Sequence, residues 1–158
     1  MSAINTKLRL RPIARSDLSA CAALLMRTFN APPWNDGWNE ATARRYLAEF
    51  EDASGFVGYL AEEDGELAGA VFAHRKAWWA GNELLVDELF VAGERQGDGI
   101  GRLLMERCER HCAEHDLVSI LLLTDRDTPA AGFYRHLGFH PVEGMELLHK
   151  AVDGKEKG

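Results

Sequence analysis

The chain has 158 residues, 46% of them hydrophobic, with 18 Lys+Arg against 25 Asp+Glu and a net charge of -7. That size fits one compact domain with a substantial core, and the acidic balance argues against a phosphate backbone as partner and for a small cationic molecule. The cysteines Cys21, Cys108 and Cys112 suggest no disulfide framework, so a cytoplasmic setting is expected, and no apolar run of signal-peptide or membrane-span length is visible.

Lys7 to Ile13 alternates as a strand, and Ser16 opens an apolar-periodic helix through Leu18, Cys21, Ala22, Leu25 and Phe29, stopped by Pro32 and Pro33. The turn-rich stretch Trp34 to Asn39 follows, with Asn39 placed to cap a second helix that runs to about Phe50. Phe56 to Glu62 and Glu66 to His74 read as two strands joined at Glu63-Asp64-Gly65, where Asp-Gly supplies the positive dihedrals of a tight hairpin. Leu84 to Val91 is a fourth strand. A glycine loop then leads into a helix from Gly99 to His115, and Val118 to Thr124 reads as a short parallel strand buried on both faces. Thr128 to Leu137 is a last helix with Pro129 in its first turn and Gly138 at its end; Phe139 to Lys150 returns as a final strand or pair of strands.

The loop Glu94-Arg95-Gln96-Gly97-Asp98-Gly99-Ile100-Gly101 strips away side chains just before a helix begins. Backbone N–H donors and the positive end of the helix dipole make such a loop a cradle for phosphate groups. Its spacing fails the dinucleotide pattern G-x-G-x-x-G, because Leu104 stands where a reading from Gly99 needs glycine. No Gly-Lys followed by Ser or Thr marks a nucleotide-triphosphate loop.

Gln96, Gly99 and Gly101 match Q/R-x-x-G-x-G/A, and the run from Glu88 to Leu104 resembles the acetyl-coenzyme A loop of the GNAT N-acetyltransferase superfamily. Asp127 to Phe139 is similar to that family's second motif, N-x-x-A-x-x-F-Y-x-x-x-G-F, in every marked position but the first. The likeness is concentrated in Asp87 to Phe139. It implies a single α/β domain over residues 1–152, a mixed sheet of six to seven strands with about four helices, and a polar tail over 153–158.

The resemblance also implies roles. Gln96, Gly97, Asp98, Gly99, Ile100, Gly101 and Arg102 would cradle the pyrophosphate of acetyl-coenzyme A with main-chain amides, while Leu89, Phe90 and Val91 would receive its pantetheine like an added strand. Tyr134 would be the general acid for the departing thiolate, since a phenol stays protonated at neutral pH; the plainer reading is a packing tyrosine. Asp127, where the family carries asparagine, would also meet the donor; an ionised carboxylate there accepts a hydrogen bond but cannot donate one as an amide does. Asp98 places a carboxylate beside the pyrophosphate, for which Arg95 or Arg102 would compensate.

The base that deprotonates the amine would be Glu88, with Asp87 close behind. Polyamine acetyltransferases of the superfamily are similar here, but adjacent strand residues point to opposite faces, so at most one is expected in the acceptor cleft while the other faces the other layer or a bulge. Trp34 and Trp38 fall in the loop that in this superfamily helps form the acceptor site, and indole faces suit a cationic amine; the plainer reading is a cover over the core.

Cys108, His111, Cys112 and His115 share one helical face, yet the i, i+4 stripe Ile100, Leu104, Cys108, Cys112 makes the cysteines core residues, and no metal is expected. With no cysteine in either motif, direct attack in a ternary complex is expected. The expected acceptor is a small primary amine, with no nucleic acid or membrane partner and a homodimer as the default assembly. A non-catalytic acyl-coenzyme A sensor and an acetyltransferase for protein amino groups are the alternative readings.

Overall fold

The computed structural model describes residues 7–155; the first six positions of the N-terminal stretch and the last three of the polar tail lie outside the described residues. The chain forms two compact units divided after Thr124.

The first unit carries β1 (Leu8–Pro12), α1 (Leu18–Phe29), α2 (Glu40–Asp52), β2 (Phe56–Glu63), β3 (Glu66–Lys76), β4 (Glu83–Val91), α3 (Ile100–Glu114) and β5 (Ser119–Leu122). The sheet order is β1-β2-β3-β4-β5, antiparallel throughout except for the parallel β4/β5 pair. The hairpin between β2 and β3 turns at Asp64 and Gly65, with φ of 51° and 79°, the double positive dihedral that matches strand twist. Asn39 caps α2 as expected: its Oδ1 accepts the Thr42 N–H at 2.9 Å, and the Thr42 hydroxyl oxygen accepts the Asn39 N–H at 3.1 Å. At α1 the expected start at Ser16 is replaced by one 3-10 turn, Arg15–Asp17. The Asp17 carboxylate, held by Arg11 at 2.8 Å, accepts the Ala14 N–H at 2.7 Å and closes that tighter turn first.

Alternation along β3 separates two layers. Ala70 and Phe72 join Leu18, Leu24, Leu25, Leu47, Leu60 and Phe90 in a core roofed by α1 and α2. Gly69, one residue before Ala70, faces Ile100 and Leu104 of α3 on the other side. Each of these large side chains is almost fully buried, which contributes ~1.5–3 kcal/mol apiece before the entropy of ordering is counted.

Two strand expectations are corrected. β5 is four residues long and half-buried, not a strand covered on both faces, and Val118 and Leu123 at its ends are exposed at 65% and 76%. Among the described residues the sheet has five strands, not six to seven. The second unit holds α4 (Pro129–His136), but residues 139–150 carry no strand. An apolar alternation forms a strand only with a ladder beside it. Pro141 lacks an N–H donor, Gly144 turns at φ 82°, and Val142, Met145, Leu147 and Leu148 are all exposed. No helix among the described residues is long and apolar enough to cross a membrane.

Candidate active site

β4 pairs with β3 along its whole length but with β5 only from Glu83 to Val86. Beyond Val86 its β5-facing edge has no ladder partner among the described residues, so main-chain groups of the 87–91 segment are placed to accept an added strand. Gln96 leans back on this segment, its Nε2 donating to the Val91 carbonyl at 3.3 Å. Phe90 anchors the segment from within the core, and Leu89 and Val91 flank it half-buried.

The register against β3 breaks at the acidic pair. Phe72 opposes Glu88 and Ala73 opposes Val86, so Asp87 is an inserted residue without a cross-strand partner. Such a bulge bends the strand and re-aims side chains. Of the two placements expected for the second carboxylate, the other layer or a bulge, the register shows the bulge. Glu88 Oε1 accepts the Tyr46 hydroxyl of α2 at 2.5 Å, and Asp87 Oδ2 lies 2.7 Å from Nδ1 of His74, two residues along the Phe72 row. Both carboxylates therefore lie on the α1/α2 side. Burial pushes the Glu88 carboxyl up to about 7; the Tyr46 hydrogen bond works against that rise, and the charges of Asp87 and Asp36 add to it. Burial, with Glu88 beside it, also raises the Tyr46 phenol, so Tyr46 is the donor of the pair.

The loop before α2 is pinned over this pair. Asn30 donates to the Trp38 carbonyl and accepts the Trp38 N–H, both at 2.9 Å. The Trp38 indole N–H donates to Asp36 at 3.1 Å, and its ring lies 4.8 Å from that of Tyr46. Trp34 instead meets Phe29 edge-on at 5.1 Å, and Phe29 in turn meets Phe90 at 6.3 Å. Trp38 thus joins the Glu88 neighbourhood directly, while Trp34 packs beside it.

At the glycine loop, Gly97 and Gly99 have φ of 91° and 81°, and a Cβ at either would meet nothing within 4 Å. Conformation, not crowding, requires glycine there. Gly99 is the N-cap of α3 and makes no side-chain cap bond, so the first-turn amides through Gly101 and Arg102 keep their donors for an anion. Ile100 turns its side chain into the core and leaves only its backbone to the loop. The guanidinium of Arg95 holds Asp98 at 3.0 Å and Glu63 at 2.6 Å, whereas Arg102 turns along the helix to Glu106 at 3.0 Å. Arg95, not Arg102, offsets the misplaced carboxylate. An open, glycine-shaped, positively polarised cradle beside a free strand edge fits a pyrophosphate with a pantetheine arm.

In the second unit the tyrosine motif folds back on itself. Gly138 at φ 97° lets the Phe139 N–H reach the Tyr134 carbonyl at 3.0 Å, and the Tyr134 ring is flanked by Phe133 at 5.2 Å and Phe139 at 5.7 Å. The Asp127 N–H donates to Asp125 at 3.0 Å, and its side chain is exposed at the approach to α4.

Among the described residues no group of three or more His, Cys, Asp and Glu is arranged to hold a metal ion. Cys108 and Cys112 lie in the buried stripe of α3, burial pushing the Cys108 thiol up to about 12, and His111 Nδ1 is 2.9 Å from the Tyr59 hydroxyl. Sequence reasoning missed Tyr46, His74 and Asp36. His74 continues the inward row of Ala70 and Phe72, which is a legible signal; Tyr46 reads only as one more aromatic on the core face of α2.

The model of the Acetyltransferase (GNAT) family matches residues 20–139. The chain belongs to the GNAT acetyltransferase family. This GNAT chain is 33% identical over 93 residues to a streptothricin acetyltransferase of Streptomyces lavendulae, a match covering 58% of the chain and 48% of that protein. It is 33% identical over 105 residues to a mycothiol acetyltransferase of Kytococcus sedentarius, covering 63% of the chain and 33% of that protein. The chain thus spans about half or less of the length of the curated relatives it matches. An integron cassette protein from the mobile metagenome of V. cholerae shares the fold at a TM-score of 0.79 and 18% identity, over 95% of this GNAT chain and 96% of the other.

Proposed function

We propose that this chain transfers acetyl from acetyl-coenzyme A to a primary amine of a small cationic acceptor, by direct attack with Glu88 as the general base. The observation that carries the reading is the Glu88 carboxyl, shifted by burial to about 7 on a face shared with Asp87, Asp36, Trp38 and Tyr46. A base poised near neutral pH combines a populated carboxylate with enough basicity to take an ammonium proton. The acidic and aromatic surroundings favour a cation over a neutral acceptor. The two relatives named for small molecules, the streptothricin and mycothiol acetyltransferases, support an acceptor of that size over a protein amino group.

The bound donor supplies an acetyl thioester. Glu88 takes one ammonium proton, freeing the nitrogen lone pair; the nitrogen bonds to the acyl carbon, the carbon–sulfur bond breaks with its electron pair on sulfur, and the second proton of the bonded nitrogen leaves to solvent. The Tyr134 phenol is assigned the proton that goes to sulfur, on the strength of its motif, and its phenolate is reprotonated from solvent. The amides of Gly97 and of Gly99 to Arg102 would hold the pyrophosphate, those of Gln96 and Asp98 being spent on the Gly93 and Arg95 carbonyls at 3.3 and 3.2 Å; the free edge of β4 would hold the pantetheine, and Asp127 is assigned a minor contact with the donor.

Thiol release by the purified chain, screened over polyamines, aminoglycosides, amino acids and short peptides, tests this. Acceptor-dependent release from a small amine, with kcat reduced about 10- to 100-fold in Tyr134→Phe, is the expected result. Saturable acetyl-coenzyme A binding without turnover on any acceptor would instead mark a sensor, and release with peptides alone would mark a protein acetyltransferase.

A further inference from the structure

We propose that Tyr46 is a positioning residue for the base: its hydroxyl holds one oxygen of Glu88 and leaves the second for the proton of the amine. This rests on the assignment of Glu88 under Proposed function. The phenol has little freedom. Its ring lies 4.8 Å from Trp38 and meets Phe50, one turn further along α2, edge-on at 4.7 Å. Trp38 is itself fixed through two hydrogen bonds to Asn30. The Tyr46 hydroxyl therefore reaches Glu88 at 2.5 Å from a direction set by α2 and by the loop that covers the site.

The remaining ionisable groups around Glu88 do not share this task. Asp87, beside it on β4, and Asp36, from the covering loop, are negative and oppose its ionisation. His74, from β3, spends its Nδ1 on Asp87. Among these groups Tyr46 is the one that favours the carboxylate. A buried base without a donor would stay protonated at neutral pH and would be free to rotate, so the hydroxyl both orients the acceptor oxygen and keeps it available. The covering loop reaches the base through Trp38 and this tyrosine, which ties the order of the acceptor loop to the readiness of the base.

The test compares the full chain with Tyr46→Phe, which keeps the ring packing and removes only the hydroxyl. Titration of the Glu88 side-chain carboxyl by carbon-13 NMR is read beside the pH profile of kcat/KM. The midpoint is expected to rise by about one to two pH units, with the acidic limb of kcat/KM moving upward by the same amount and the KM for acetyl-coenzyme A unchanged. An unchanged midpoint in the folded variant overturns the proposal, as does a shifted midpoint with an unmoved acidic limb. Glu88→Gln separates the two assignments: if it keeps normal turnover, the base reading fails, whereas the NMR midpoint still decides whether Tyr46 holds the carboxylate.

Discussion

At the scale of single residues, the acidic pair divides its work because each carboxylate already has a different partner. Asp87 is engaged by His74 at 2.7 Å, while Glu88 meets an uncharged phenol in a half-buried setting. Glu88→Gln is therefore expected to lower kcat/KM about 10²- to 10⁴-fold and Asp87→Asn about tenfold or less. Equal losses in both variants would reverse the assignment. The wild-type acidic limb should fall below pH about 7, since the base must be ionised to act. The same shift has a stability side. A carboxyl raised from 4.5 to about 7 binds its proton more tightly in the folded chain, so its contribution is fully present below pH 4.5 and is lost as pH rises through 7. That loss is about 3 kcal/mol at pH 8. Glu88→Gln should thus melt several degrees higher than wild type at pH 8 and show no such gain at pH 4, measured by calorimetry. The sequence displayed the two carboxylates but not which would be desolvated. The hydrogen-bond partner of Glu88 comes from α2, some forty residues earlier, and no local pattern connects them.

At the scale of elements, the phosphate cradle combines a backbone requirement with a charge conflict, and the two can be separated by mutation. Gly99→Ala forces a side chain into φ 81°, costing ~1–2 kcal/mol although no neighbour would be struck. The KM for acetyl-coenzyme A should rise about 5- to 30-fold as the loop relaxes, with kcat for bound substrates largely kept. Asp98→Asn should lower that KM a few-fold, because it removes an anion from the cradle and releases Arg95 from its 3.0 Å bond. A higher KM in Asp98→Asn would mean that Asp98 shapes the loop instead of opposing the donor. Most of this architecture was legible: Asn39 at a helix start, Asp64-Gly65 in a hairpin and glycines before α3 are positions where backbone geometry restricts residue choice. The bulge at Asp87 was legible only as one of two alternatives, because an inserted residue leaves no mark on one strand read alone; it exists only relative to Phe72 and Ala73 on β3. The strand count failed for a related reason. Residues 139–150 have the composition of a strand, but a ladder requires a neighbour, and Pro141 and Gly144 interrupt the run.

At the scale of the whole molecule, a net charge of -7 acts in opposite senses on the two substrates of the proposed reaction. It attracts a polyamine or another multiply charged acceptor and repels the polyanionic donor, which the chain must then capture by local donors at the glycine loop. Salt distinguishes these effects, because screening shortens from about 10 Å at 0.1 M to about 3 Å at 1 M ionic strength. Between those limits kcat/KM for a polycationic acceptor should fall about tenfold or more, while the KM for acetyl-coenzyme A stays level or declines as long-range repulsion is screened. A monoamine of similar size should show a much shallower fall. If kcat/KM for the cationic acceptor were insensitive to salt, steering by Asp36, Asp87, Glu88 and the wider acidic surface would be excluded. Recognition would then rest on contact with Trp38 and Tyr46, where cation–π attraction is local and weakly screened. The opposite dependence of the two substrates makes this more than a solubility argument: a general loss of structure in salt would weaken both, whereas charge steering separates them by sign.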